Sequence, residues 1–190
     1  GREVPAERPR DALERAGTRG DRQQKAGEGD MAGFSVTSGM VKDGATMPMT
    51  TVHTWGGGQN TSPDLSWSGA PAGTQSFAVG MYDPDAPTTV GFVHWLLFNV
   101  PAAVTSLQAG AGAAGKSPQG SVLGYTDWGA SEYGGPLPPP GDDPHRYEIT
   151  VYALDVPTLE LGPNATYAFF RFSIRGHVLG EAKLTGRFGR

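Results

Sequence analysis

Apolar side chains in this chain come in short runs separated by glycine- and proline-rich turns, the pattern of a β domain. Residues 76–82 (SFAVGMY) and 93–100 (VHWLLFNV) are apolar at both parities and read as central strands covered on both sides. Residues 146–154 form a further strand and residues 33–37 a short one. Near the C-terminus Ala182 and Leu184 alternate with Glu181, Lys183 and Thr185, which predicts a strand with one buried face. Asn164 is expected to cap a helix carrying Phe169, Phe170, Phe172 and Ile174. The reading is one domain, mostly β.

Polar residues interrupt this pattern at strand ends. Asp83-Pro84-Asp85-Ala86-Pro87 follows the strand at 76–82, His94 heads the next strand, and His145-Arg146-Tyr147 opens the one after it. Side chains two apart on a strand share a face. His145 and Tyr147 therefore point with Ile149 and Val151, while Arg146 and Glu148 point the other way. The prolines around Asp83 and Asp85 fix φ and stiffen that strand end. The loop Pro136-Leu137-Pro138-Pro139-Pro140-Gly141 lacks many N–H donors and suits a rigid pocket wall.

A carboxylate, two imidazoles and a phenol gathered by strand ends make a small polar pocket. Imidazole N–H, phenol O–H and backbone N–H groups donate well to phosphate or carboxylate oxygens, so a small anion is the expected ligand. A carboxylate beside an imidazole fixes its tautomer and raises its pKa. Anion binding is accordingly expected to strengthen as the histidines charge below about pH 6.5. Taken singly, a histidine at a strand end is more often structural, and an aspartate before proline is usually turn chemistry. The joint appearance of these residues carries the reading.

Composition narrows the function classes. A length of 190 residues allows one domain with a real core, and the 29 glycines and 16 prolines account for the many turns. A net charge of −4 offers no basic surface for nucleic acid or an anionic membrane. Without cysteine there is no disulfide framework, thiol nucleophile or thiolate metal site. No apolar stretch approaches the roughly 18 residues of a membrane span, and the first residues lack the apolar core of a secretion signal. The expectation is a cytoplasmic protein, not an integral membrane one. Residues 1–30 carry seven basic and seven acidic side chains and no aromatic. They are expected to be a disordered or non-native extension ahead of Met31, with residues 31–190 forming the β domain.

Two further patterns point to different chemistry. Residues 110–117 (GAGAAGKS) match the phosphate-loop spacing G-x-x-x-x-G-K-S, but that motif needs a strand before it and a helix after it. Here Pro118 and Gly120 follow at once, so nucleotide hydrolysis is not expected. His94, His145 and Asp83 could alternatively serve a metal-dependent enzyme as a two-histidine, one-carboxylate triad. Against this, no His-x-His or His-x-x-x-His spacing occurs, and a serine hydrolase is not expected either, since no G-x-S-x-G nucleophile elbow is present.

From about Phe34 onward the chain resembles the phosphatidylethanolamine-binding protein family, in its bacterial and archaeal Raf kinase inhibitor-like branch. The residues carrying the resemblance are Ser62-Pro63-Asp64-Leu65-Ser66-Trp67, Asp83-Pro84-Asp85-Ala86-Pro87, His94-Trp95, Asn99-Val100-Pro101, Tyr133-Gly134-Gly135-Pro136, Pro138-Pro139, His145-Arg146-Tyr147 and the closing Leu184-Thr185-Gly186-Arg187-Phe188-Gly189-Arg190. It implies an antiparallel β-sandwich with one or two short C-terminal helices and an anion pocket at one end. Family pocket positions fall on Asp83, Pro87, His94, Pro139, His145 and Tyr147, with Asp85 and Gly135 beside them. By the same resemblance His94 and His145 donate to the anion, Asp83 orients an imidazole, and Tyr147 forms wall and further donor. Leu137 stands where this branch often has cysteine, and Arg175 where relatives often have histidine.

The implied ligand is phosphate, an acetate-like anion or a phosphoethanolamine head group, bound without cofactor and without catalysis. Regulation of a protein kinase or protease and assembly as a homodimer are further implications. A phospho-dependent protein-interaction module is the remaining rival.

Overall fold

The two long apolar runs lie side by side at the centre of the larger of two sheets in the computed structural model, which describes residues 33–190. The extension expected over residues 1–30 lies outside the described residues. Strand β3, Ser76–Asp83, is hydrogen-bonded antiparallel to β4, Phe92–Pro101, on one side and to β7, His145–Leu154, on the other. The edges are β6, Val122–Leu123, beside β4, and β8, Val178–Phe188, beside β7. A smaller antiparallel sheet orders β1, Ser35–Thr37, then β2, Leu65–Ser68, then β5, Ser106–Leu107.

Double-sided burial explains why the central runs lack alternation. On one face of β3, Phe77, Val79 and Met81 pack with Trp95 and Leu97 of β4 and Ile149 and Val151 of β7. Val36, Leu65, Trp67 and Leu107 of the small sheet close that core. On the other face Ala78, Leu96, Phe98 and Tyr152 meet Leu159, Phe170 and Ile174. Phe170 comes from the helix α1, Tyr167–Ser173. The cap of α1 is Thr166, whose hydroxyl accepts from the Phe169 N–H, and not Asn164 two residues earlier. Phe170 alone of the helix is buried, while Phe169 and Phe172 face solvent.

Asn99 interrupts the pairing of β4 with β3, which resumes at Val100. Its φ of 58° makes it an extra residue between the Phe77–Val100 and Val79–Leu97 pairs. Asparagine tolerates this left-handed conformation better than most residues. Its side chain clasps Leu159, accepting from the backbone N–H at 2.8 Å and donating to the carbonyl at 3.1 Å. The phosphate-loop lookalike is a run of turns in which five of the eight amides, those of Gly110, Ala111, Gly112, Ala113 and Lys116, are already engaged. Gly112 N–H donates to the Ser62 hydroxyl at 2.9 Å, Lys116 N–H donates to the Ala113 carbonyl at 3.1 Å, and no helix follows. Among the described residues no helix is long and apolar enough to cross a membrane.

Candidate functional site: a polar floor under apolar walls

A second irregularity of β4 sets the direction of His94. Met81 pairs with Trp95 and Tyr82 with Val93, which leaves His94 as the extra residue of a β-bulge. Strict alternation would send the neighbour of a core-facing Trp95 to the helix-covered face. The bulge instead turns His94 toward Asp83 and Tyr147, its ring centroid 5.1 Å from that of Tyr147 in an edge-on contact. His94 is therefore the third residue of its strand rather than its head.

Asp83 ends β3 and His145 begins β7, and the adjacent strands bring them within a hydrogen bond. His145 Nδ1 lies 2.8 Å from Asp83 Oδ2, and the other carboxylate oxygen accepts from Asp85 N–H at 2.8 Å. Asp83 thus orients one imidazole, that of His145, whose Nε2 lies 3.4 Å from Asp142. The second imidazole is held differently. His94 Nδ1 sits 2.7 Å from the carbonyl of Gly134, so Nδ1 carries the hydrogen and Nε2 presents a lone pair. Trp128 Nε1 donates to the same carbonyl at 3.1 Å, nearer than its 3.3 Å to Nδ1 itself. No group of the described residues meets Nε2 at hydrogen-bond geometry.

Burial lowers the His94 pKa to about 4, against the opposing pull of the Gly134 carbonyl and the Asp83 carboxylate. The expectation that a neighbouring carboxylate would favour a charged imidazole fails for this histidine. Desolvation of a fully enclosed ring outweighs a carboxylate that is itself hydrogen-bonded elsewhere. Tyr147 is fully buried, and burial, then Asp83, drives its pKa upward, so it remains a phenol. The Asp83 carboxylate is near enough to add to that shift, yet the hydroxyl has no partner at hydrogen-bond geometry.

Asp83, His94, His145 and Tyr147 form the floor of one cavity of about 250 Å³. Its walls are apolar: Pro87 and Phe92 on one side, Trp128, Leu137 and Pro139 on the other. Six of the eight residues read from the sequence as site positions line this cavity. Asp85 does not. Its carboxylate takes a two-pronged ion pair from Arg146, with Nη2 at 2.7 Å and Nε at 2.9 Å, and faces a neighbouring cleft of about 570 Å³ with Asp142, Asp143 and Arg187. Arg146 holds the Asp85 carboxyl down at about 2.

Gly135 is absent from the cavity lining as well. Its N–H donates to Asn60 Oδ1 at 2.7 Å, and a Cβ there would fall 2.1 Å from the Thr51 carbonyl oxygen. This glycine permits close approach of two backbone segments and so holds the Gly134 carbonyl under His94. Sequence reasoning missed Phe92 and Trp128. Trp128 lies in an irregular loop, stacked on His53 at 4.2 Å and 9°. A tryptophan isolated among small and polar residues was its only signal.

Among the described residues no three histidine, aspartate or glutamate side chains are grouped so as to hold a metal ion. The Asp83 carboxylate of the suspected triad accepts from both His145 Nδ1 and Asp85 N–H, which leaves His145 only its Nε2 for any further partner.

Comparison with known proteins agrees with this architecture. The family described as phosphatidylethanolamine-binding protein matches residues 37–189. UPF0098 protein YbcL of Escherichia coli is 42% identical over 160 residues, covering 81% of this chain and 86% of that protein. A UPF0098 protein of Methanothermobacter thermautotrophicus is 47% identical over 133 residues, covering 70% and 85%. The crystal structure of E. coli YbcL, described as a new member of the mammalian PEBP family, superposes with a TM-score of 0.81 at 40% identity, covering 84% of this chain and 99% of that one. A homologue from Chlamydia trachomatis gives a TM-score of 0.71 at 28% identity, covering 83% and 98%. This β-sandwich, with its polar-floored cavity at the ends of β3, β4 and β7, belongs to the phosphatidylethanolamine-binding protein family.

Proposed function

We propose that the chain binds a small oxyacid, either phosphate or a phosphorylated head group such as phosphoethanolamine, and releases it chemically unchanged. The observation carrying this reading is the convergence of Asp83, His94, His145 and Tyr147 on one cavity whose remaining walls are apolar. A volume near 250 Å³ suits a head group rather than a larger metabolite. The unpartnered Tyr147 hydroxyl supplies a donor for a ligand oxygen. The description of the matching family points to related chemistry, because phosphatidylethanolamine joins an ammonium to a phosphate, there present as a diester. Asp142 and Asp143 stand beside His145 in the adjoining cleft and give an ammonium group a partner.

In this reading the ligand binds without turnover, and among the described residues lining the cavity the one aliphatic hydroxyl is engaged by backbone. Thr88, the aliphatic hydroxyl there, donates to the Gly91 carbonyl at 2.5 Å rather than to an imidazole. Titration calorimetry with phosphate and phosphoethanolamine tests the reading. The double variant His94→Ala/His145→Ala is expected to lose at least about tenfold in affinity, about 1.4 kcal/mol. Unchanged affinity in a folded double variant refutes the assignment.

A further inference from the structure

We propose that the cavity accepts its oxyacid in a protonated form, with a P–OH of the ligand donating to His94 Nε2 and a P=O oxygen accepting from the Tyr147 hydroxyl. This rests on the binding reading above and narrows it. The ligand class becomes phosphate or a phosphate monoester as its monoanion, in preference to a phosphodiester, which has no P–OH to offer.

The floor of the cavity has a fixed polarity. Gly134 O, 2.7 Å from Nδ1, can only accept, and this turns a lone pair of His94 toward the cavity. Tyr147 lines the same cavity; its buried hydroxyl lies beside the Asp83 carboxylate without a partner at hydrogen-bond geometry, and its ring is 5.1 Å from that of His94. One acceptor beside one donor is the complement of a P(=O)–OH edge, whereas a fully ionised phosphate would set oxygen against the His94 lone pair.

The charges around His94 act in the same direction. From β3 comes the Asp83 carboxylate, and from β7 come His145 and Tyr147. The loop after β6 brings Asp127, which accepts from Val93 N–H at 2.7 Å, and the neutral Trp128. Asp142 adds a carboxylate 3.4 Å from His145 Nε2. Arg146 is committed to Asp85 by two hydrogen bonds. A second negative charge on the ligand would therefore enter a cavity that already holds Asp83 and whose lining carries no lysine or arginine, with Arg187 in the adjoining cleft and Arg190 bonded to the Pro138 carbonyl. Burial, which keeps His94 neutral, is consistent with the proton residing on the ligand.

Phosphate monoesters lose their second proton near pH 6. Above that pH the free ligand is mainly the dianion, and binding takes one proton from solvent. Below it the monoanion binds with no net uptake. Affinity should then fall about tenfold for each pH unit above the ligand's pKa.

Calorimetry of the whole chain tests this with three probes: inorganic phosphate, phosphoethanolamine and the diester glycerophosphoethanolamine. Each is titrated at about pH 5.5 and about pH 8, on either side of the monoester pKa, in two buffers of different ionisation enthalpy, which yields the number of protons taken up. Phosphoethanolamine is expected to take up close to one proton at the higher pH, and the diester to bind at least about tenfold more weakly at the lower one. Comparison with inorganic phosphate separates a requirement for the head group from affinity for phosphate alone. ¹⁵N NMR of His94 in the complex is expected to show the neutral ring protonated at Nδ1. Tyr147→Phe should weaken the monoester about tenfold without abolishing proton uptake.

Equal binding of the diester, with the same proton uptake and with both His94 nitrogens protonated, would overturn the proposal and place the proton on the protein. Failure of all three probes to bind at the lower pH would instead overturn the binding reading and this inference together.

Discussion

Asp83 and His145 depend on each other more than either depends on a ligand. Both are buried, and the carboxylate satisfies the imidazole at 2.8 Å and the Asp85 N–H at 2.8 Å. Asp83→Ala leaves His145 Nδ1 without its partner in a dry setting and is expected to cost about 1–3 kcal/mol. Urea denaturation measures that loss, and a change below about 0.5 kcal/mol would contradict the pairing. Gly135 presents the opposite case, a residue whose role lies in what it lacks. An added methyl would meet the Thr51 carbonyl oxygen at 2.1 Å and the His53 nitrogen at 2.6 Å, both backbone atoms. Gly135→Ala should therefore destabilise by about 1–3 kcal/mol or more and displace the Gly134 carbonyl from His94. Gly162→Ala meets nothing within 4 Å and serves as the control, expected to lie within about 0.5 kcal/mol of the parent.

At the level of elements, the two irregularities of β4 do different jobs. The one at His94 aims a side chain into the cavity, and the one at Asn99 anchors the segment before α1. Asn99→Ala removes both Leu159 hydrogen bonds and sets a β-carbon residue at φ 58°. Asn99→Gly removes the same bonds without that strain. The alanine variant is expected to be less stable than the glycine variant by about 1 kcal/mol, in thermal or urea unfolding. These features also mark what the sequence could convey. β3, β4 and β7 were legible because an apolar run of that length, bounded by turn residues, fits little besides a buried strand. The pairing of His145 with Tyr147 on one face followed from strand periodicity. A bulge leaves no trace in periodicity until the partner strand is known, so the direction of His94 was not legible. β2, β5 and β6 are too short to hold a pattern, and Asp85 was drawn away by Arg146, a contact across strands. Trp128 reaches His94 through a loop, where no repeat constrains a side chain.

For the whole molecule, the enclosed His94 ties stability to pH. Its folded pKa is depressed to about 4 from an ordinary 6.5, so the native state keeps the ring neutral where the unfolded chain would protonate it. As pH falls below 6.5 the unfolded state gains protons first, and stability drops until the folded pKa is reached near 4. Above pH 6.5 the contribution is constant. A shift of this size corresponds to a loss on the order of 3 kcal/mol across that window. The Asp85–Arg146 pair acts in a lower window. Its carboxyl, held at about 2, supports the fold above the ordinary value of 3.8 and loses that support only as pH falls toward 2. The two windows are adjacent and can be separated by substitution. His94→Gln keeps a donor for the Gly134 carbonyl and removes the titration. Chemical denaturation from about pH 8 down to about pH 4 should show the parent losing stability below about pH 6.5 more steeply than His94→Gln, with the two curves parallel above it. Parallel curves throughout would mean that the imidazole charges inside the folded protein at little cost, and the neutral, accepting His94 on which the floor's polarity depends would have to be abandoned.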